Sequence, residues 1–266
     1  MLDDQDRVNR MIEKIGSRVE KALKDVPCGA AILRPEQAAL PEIPEDAAIA
    51  RLIDHTLLRA EYTPSDVDRV CDEAIEFGFA TVCTNPVFVP QVVRRLQGTT
   101  TLPASVVGFI FGAEFPAIKA AQARKLIDAG ADEMDVVIMV GLLKAGEYVD
   151  VARDLQGVIE TCHDAGAILK VILEVGLLTQ EEKIAGALIA QHVGADYVKT
   201  CTGFAAGEAT VDDIRLLRRV AGAGMGVKAA GGVRSYEKAV ALLRAGASRL
   251  GATQSVKIAE GGRHHG

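Results

Sequence analysis

A chain of 266 residues has room for one large domain or two small ones, and with 49% apolar side chains it can bury a sizeable core. A net charge of −6 and a pI near 5.5 argue against nucleic acid or an anionic membrane as the main partner; any anion it binds must be held locally. Five cysteines without a Cys-x-x-Cys pair read as reduced thiols of a cytoplasmic protein, and five histidines at no ligand spacing give no metal site.

The opening Met1-Leu2-Asp3-Asp4 is acidic and lacks the regions of a signal peptide. The longest apolar run, Val136 to Leu143, is too short to span a bilayer. Val8, Met11, Ile12, Ile15, Val19, Ala22 and Leu23 recur at helical spacing, which predicts an amphipathic helix. Pro27, Gly29, Pro35, Pro41 and Pro44 then punctuate a linker, so residues 1–44 form an extension that packs on the main domain or on a neighbouring subunit.

Residues 45–266 alternate between two periods. Strands are predicted at Arg51–Thr56, Phe79–Cys83, Ala104–Ile110, Glu133–Ile138, around Lys170, around Lys199, around Lys228 and at Ser248–Gly251. Helices fill the intervals. One opens at Thr63-Pro64, one at Thr179 with a capping-box pattern to Glu182, and one at Ser235; a single helix is expected between strand four and Gly166. Helices that end on Gly130, Gly194 and Gly246, each followed by a small residue and a strand, carry an αβ-loop signature. Eight strand–helix repeats predict a (β/α)₈ TIM barrel with an N-terminal helical extension. The competing doubly wound sheet is disfavoured, because no Gly-x-Gly-x-x-Gly follows the first strand.

Lys170, Lys199 and Lys228 recur at 29-residue intervals, about one strand–helix unit, so three successive strands each carry a lysine at similar depth. A charge within an apolar strand must be paired, be neutralised or have work to do. Two cations about 5 Å apart repel by roughly 3 kcal/mol at an effective dielectric near 20, so one amine would shed its proton unusually early. A neutral amine attacks carbonyls, which makes Lys199 a Schiff-base candidate. Asp54 and Asp135 converge on the same strand ends, and Asp135 with Lys170 reads as an acid/base pair working through water or as a structural ion pair. Gly231-Gly232 and the turn Gly251-Ala252-Thr253 follow the last two strands, where barrels of this kind cradle phosphate. Cys83 and Cys201 are candidate reactive thiols, although a small buried thiol is the commoner case.

Ile53-Asp54-His55-Thr56-Leu57-Leu58, Ala80-Thr81-Val82-Cys83-Thr84-Asn85-Pro86, Met134-Asp135-Val136-Val137, Leu169-Lys170-Val171-Ile172-Leu173-Glu174, Val198-Lys199-Thr200 and Lys228-Ala229-Ala230-Gly231-Gly232-Val233-Arg234 together resemble the deoxyribose-phosphate aldolase family over about Ala48 to Lys257. The resemblance implies a class I aldolase without metal or organic cofactor, acting in deoxyribonucleotide catabolism. It would cleave 2-deoxyribose 5-phosphate to acetaldehyde and glyceraldehyde 3-phosphate as a homo-dimer or tetramer. It implies Lys199 as the Schiff-base lysine, Lys228 as the cation that lowers its pKa, and Asp135 with Lys170 as the proton relay. Asp54, Cys83, Thr200, Gly203, Gly231, Gly232, Gly251 and Thr253 would contact substrate.

Some positions depart from the family pattern. Thr253 and Gln254 stand where two serines are usual, Cys201 replaces a serine, Val175 replaces a threonine, and Ile110-Phe111 replaces Pro-Leu. Gln254 lengthens a residue of the phosphate turn, so a weaker preference for phosphorylated substrates is expected. Rival readings are a Schiff-base barrel acting on ketose phosphates or unphosphorylated aldehydes, and a catalytically silent barrel.

Overall fold

A computed structural model of the chain describes residues 2–31, 46–205 and 207–263. The expected prolines 35, 41 and 44 and the His264-His265 tail lie outside these residues. Helix α1 (Leu2–Leu23) comes first, and a 3₁₀ turn (Asp46–Leu52) leads into the repeats. These are β1 (Ile53–Leu57), α2 (Pro64–Phe77), β2 (Thr81–Thr84), α3 (Val89–Leu96), β3 (Leu102–Val107), α4 (Pro116–Asp128) and β4 (Glu133–Val137). The chain continues through α5 (Val140–Ala145), α6 (Tyr148–His163), β5 (Ile168–Ile172), α7 (Gln180–His192) and β6 (Tyr197–Lys199). It closes with α8 (Val211–Ala221), β7 (Gly226–Ala230), α9 (Tyr236–Arg244), β8 (Arg249–Ala252) and α10 (Ser255–Arg263). All eight strands pair in parallel with their sequence neighbours, and β8 pairs back onto β1 to close the barrel. The predicted (β/α)₈ architecture is the one observed.

The caps form where the sequence places them. Thr63 accepts from the Asp66 amide while Asp66 accepts from the Thr63 amide, and Pro64 supplies a first-turn residue that needs no donor. Thr179 and Glu182 form the second reciprocal box, and Ser235 caps α9. The single helix expected after strand four is two, α5 and α6, because the chain breaks at Gly146 in the left-handed region (φ 79°). Strand three stops at Val107, short of the predicted Ile110, and the next three residues turn into the β3–α4 loop.

Strands β4 and β7 are buried along their whole length, as parallel strands covered on both faces must be. Helix α1 lies across α6 and α7 and buries Ile15, Val19 and Leu23 against the barrel's own helices. Its exit is stitched down: the Gly29 amide donates to the His192 carbonyl at 2.9 Å, and a Cβ at Gly194 would lie 2.6 Å from the Ala30 nitrogen.

Candidate active site

Seven charged side chains from six strands fill the interior of the barrel. Asp54 comes from β1, Glu133 and Asp135 from β4, Lys170 from β5, Lys199 from β6, Lys228 from β7 and Arg249 from β8. Each of these residues is no more than 9% exposed. Lys170 Nζ lies 2.6 Å from Glu133, 3.0 Å from Asp135 and 3.6 Å from Asp54. Arg249 reaches Asp54 at 2.7 Å and Glu133 at 3.2 Å. Lys228 reaches Asp54 at 2.5 Å and Asp135 at 2.7 Å. Among the described carboxylates Lys199 reaches Asp135 alone, at 2.7 Å, and shares that Oδ2 atom with Lys228.

This arrangement has a charge imbalance: four cations face three carboxylates. A buried, uncompensated ammonium is costly, so the favoured state of the cluster is the one in which a single amine is neutral. Arginine does not deprotonate, and Lys170 and Lys228 each hold two or more carboxylates. Lys199 has the fewest carboxylate partners, and its pKa falls below the ordinary lysine value. Burial is the largest cause; Asp135 opposes it and Lys228 adds to it. Lys170 and Lys228 are held above the ordinary value, because their carboxylates outweigh burial. Asp54 and Asp135 are held below theirs, against the cost of burial, by the surrounding cations.

Two expectations about the lysines need correction. Lys199 and Lys228 are register partners, but Lys170 pairs with Tyr197 and so lies two residues deeper. Equal intervals in sequence do not give equal height, because strands of a closed barrel are staggered. Crowding of Lys199 comes chiefly from Lys228, and desolvation exceeds it. Lys170 is instead neutralised by the three carboxylates around it, which fixes Asp135 from below.

A cleft of about 860 Å³ opens above Lys199 at the C-terminal ends of the strands. Gly203, Gly231, Gly232, Gly251 and Thr253 line it. Asp54, Asp135, Lys170 and Lys228 lie beneath its floor and are not among its lining residues. A side chain at Gly251 would meet the Lys228 Cε at 3.2 Å, so this glycine makes room for the lysine as well as for a ligand.

Thr200 is not a ligand-facing residue. Its hydroxyl donates to the Ala230 carbonyl at 2.7 Å and accepts from the Ala230 amide at 2.9 Å, clamping β6 to β7. Cys83 is buried among Leu58, Ala104 and Val106 on the inner wall. Its thiol pKa is pushed up to about 12 by burial, as is that of Cys201, so neither is a ready nucleophile.

Sequence reasoning missed Glu133 and Arg249; a charge inside each predicted strand was the available signal. It also missed Thr56, Arg59, Thr202, Phe204 and Arg234 in the cleft wall. Glu174, buried and in the left-handed region (φ 59°), accepts from both the amide and the hydroxyl of Thr202 and so fixes the β6 loop. A Ser255–His55–Glu73 chain has the composition of a hydrolytic triad, with His55 at 2.9 Å from the serine and 2.7 Å from the glutamate. Ser255, however, is fully buried and bonds to the Ala252 carbonyl, so the chain ties β1 to α2 and α10 and offers the cleft no nucleophile.

The comparisons with known proteins agree with this geometry. Residues 48–258 match the family model described as "DeoC/LacD family aldolase". The chain is 48% identical over 218 residues to a deoxyribose-phosphate aldolase of Thermococcus gammatolerans, covering 81% of this chain and 97% of that one. It is 46% identical over 216 residues to that of Streptococcus suis, with the same coverage. Among solved structures, a tetrameric deoxyribose phosphate aldolase from Aeropyrum pernix superposes with a TM-score of 0.79 at 31% identity, over 87% of this chain and 97% of that one. The chain belongs to the DeoC/LacD aldolase family and is a lyase.

Proposed function

We propose that this aldolase reversibly cleaves 2-deoxyribose 5-phosphate to acetaldehyde and glyceraldehyde 3-phosphate through a Schiff base on Lys199. The observation that carries the reading is the excess cation in a buried cluster, with Lys199 the cation that has the fewest carboxylate partners. Neutral Lys199 Nζ adds to the C1 aldehyde of the open sugar, and the carbinolamine loses water to form an iminium. A base then takes the C3 hydroxyl proton, the C2–C3 bond breaks, and its electron pair moves into the iminium to give an enamine. Glyceraldehyde 3-phosphate leaves, the enamine takes a proton at C2, and water hydrolyses the new iminium to acetaldehyde and free lysine. Without the iminium as electron sink the C2 carbanion would be far too basic.

Asp135, 2.7 Å from the Lys199 nitrogen, is the carboxylate best situated to pass protons through a cleft water. Lys170 remains charged and holds Asp135 in place, and Lys228 is the cation that favours the neutral amine. The glycine turns at 231–232 and 251–253 would receive the phosphate. The tetrameric relative and the exposed Phe111, Phe115 and Ile118 support a homo-oligomer. No described helix is long and apolar enough to cross a membrane, and composition supports a cytoplasmic location.

Borohydride reduction with acetaldehyde should leave an ethyl adduct on Lys199, read by mass spectrometry, and none in Lys199→Ala. A ketose enzyme would require dihydroxyacetone phosphate instead. A wild-type protein that traps no aldehyde would overturn the reading.

A further inference from the structure

Both arginines of the cleft wall carry a carboxylate of their own. Arg234 Nη1 lies 2.8 Å from Glu208 Oε1, and Arg59 Nη1 lies 3.7 Å from Glu61 Oε1. Glu208 is seated directly on the glycine turn: a Cβ built at Gly232 would come within 2.3 Å of Glu208 Oε2. The loop that carries it is docked there as well, since the Ala209 amide donates to the Gly231 carbonyl at 3.0 Å. Each cleft arginine is therefore offset by a carboxylate of its own, in a cleft that the Gly231–Arg234 and Gly251–Gln254 turns also line.

We propose that Glu208, and more weakly Glu61, is an internal anion that competes with the substrate's phosphate for Arg234 and Arg59 respectively, and so sets how strongly the enzyme prefers phosphorylated sugars. The inference rests on the aldolase reading above. No bond is made or broken: phosphate binding exchanges ion-pair partners, with each guanidinium turning from its carboxylate to the phosphate oxygens, a bidentate geometry that arginine favours. Both carboxylates are substantially exposed, so the exchange is screened by water and modest in size. A dianion entering this cleft meets little net attraction, whereas a neutral sugar meets no penalty.

The test compares wild type, Glu208→Gln, Glu61→Gln and the double variant on deoxyribose 5-phosphate and on deoxyribose, at low and high salt. Each single substitution should raise the ratio of kcat/KM for phosphorylated over unphosphorylated substrate about two- to fivefold, mainly through KM. The double variant should raise it about tenfold, and the gain should shrink at high salt. An unchanged or lower ratio in Glu208→Gln would overturn the proposal, because the carboxylate would then be indifferent to phosphate or would be helping Arg234 to bind it. Calorimetric titration with inorganic phosphate reads the same contrast without turnover: tighter binding in Glu208→Gln supports the proposal, and equal or weaker binding overturns it. If wild type traps no acetaldehyde on Lys199, it is the aldolase reading that fails, and the phosphate titration still decides the role of Glu208.

Discussion

Replacing Lys228 with methionine removes one cation from the buried cluster while keeping an unbranched side chain of similar length. Three cations then face three carboxylates, and Lys199 no longer needs to be neutral for the charges to balance. The magnitude follows from the shared atom: both amine nitrogens lie 2.7 Å from Asp135 Oδ2, so they are separated by at most twice that distance. At about 5 Å and an effective dielectric near 20 their repulsion is roughly 3 kcal/mol, about a hundredfold in the neutral fraction of Lys199. Lys199 is a base, and its neutral form grows as pH rises. The variant should therefore lose about two orders of magnitude in kcat/KM near neutrality and recover progressively toward alkaline pH. Asp54 keeps Arg249 and Lys170 as partners, so the fold should survive, which a thermal melt checks. The assay is the pH profile of deoxyribose 5-phosphate cleavage, with acetaldehyde trapping in parallel. A uniform loss at every pH, with the rising limb unmoved, would refute the electrostatic role and leave Lys228 as a packing residue.

Asp135→Asn withdraws the carboxylate from three ammonium groups and should cost on the order of 3–5 kcal/mol in denaturant titration. Asp54 and Asp135 titrate below the carboxylate value of 3.8 in the folded state, so the stability they contribute is complete above that pH and is lost as pH falls through the depressed folded values. Acid unfolding should thus steepen below about pH 4, and less steeply in Asp135→Asn, as circular dichroism would show. Lys119 and Asp154 form a second fully buried pair, at 2.6 Å between α4 and α6, where burial holds Asp154 above its usual value. Lys119→Met should destabilise by about 3–5 kcal/mol while the folded fraction keeps its specific activity. Ile15→Ala on α1 should cost about 2–4 kcal/mol in the same measurement, since that side chain is buried against the barrel. A cost near zero would mean that α1 does not brace the barrel.

The lysine ladder was legible because one strand–helix unit has a narrow length range, so residues 170, 199 and 228 had to fall on consecutive strands. Their heights were not legible, since the stagger between β5 and β6 is set by loop geometry that leaves no periodic mark. Capping boxes at Thr63 and Thr179 were readable because their partners are three residues apart. Glu133 and Arg249 escaped notice for the opposite reason: they lie 116 residues apart, and their other partners, Lys170 and Asp54, are also distant in sequence. Thr200 and Thr202 show how alternation misleads. Two hydroxyls on one short segment look equivalent in sequence, yet one is spent on Ala230 between strands and the other on Glu174, which leaves Thr202 in the cleft wall. Arg59 lay in a loop whose direction nothing in the sequence specified.

Closure of the ring has a consequence for how the chain behaves before it is finished. The pair that seals the seam, β1 and β8, delivers Asp54 and Arg249, which are joined at 2.7 Å. Until that last strand docks, the electrostatic balance that disarms one ammonium does not exist, and every lysine is an ordinary protonated amine. Half-made or partly melted molecules should therefore trap no aldehyde on Lys199: on this account the reagent is assembled only when the vessel is sealed.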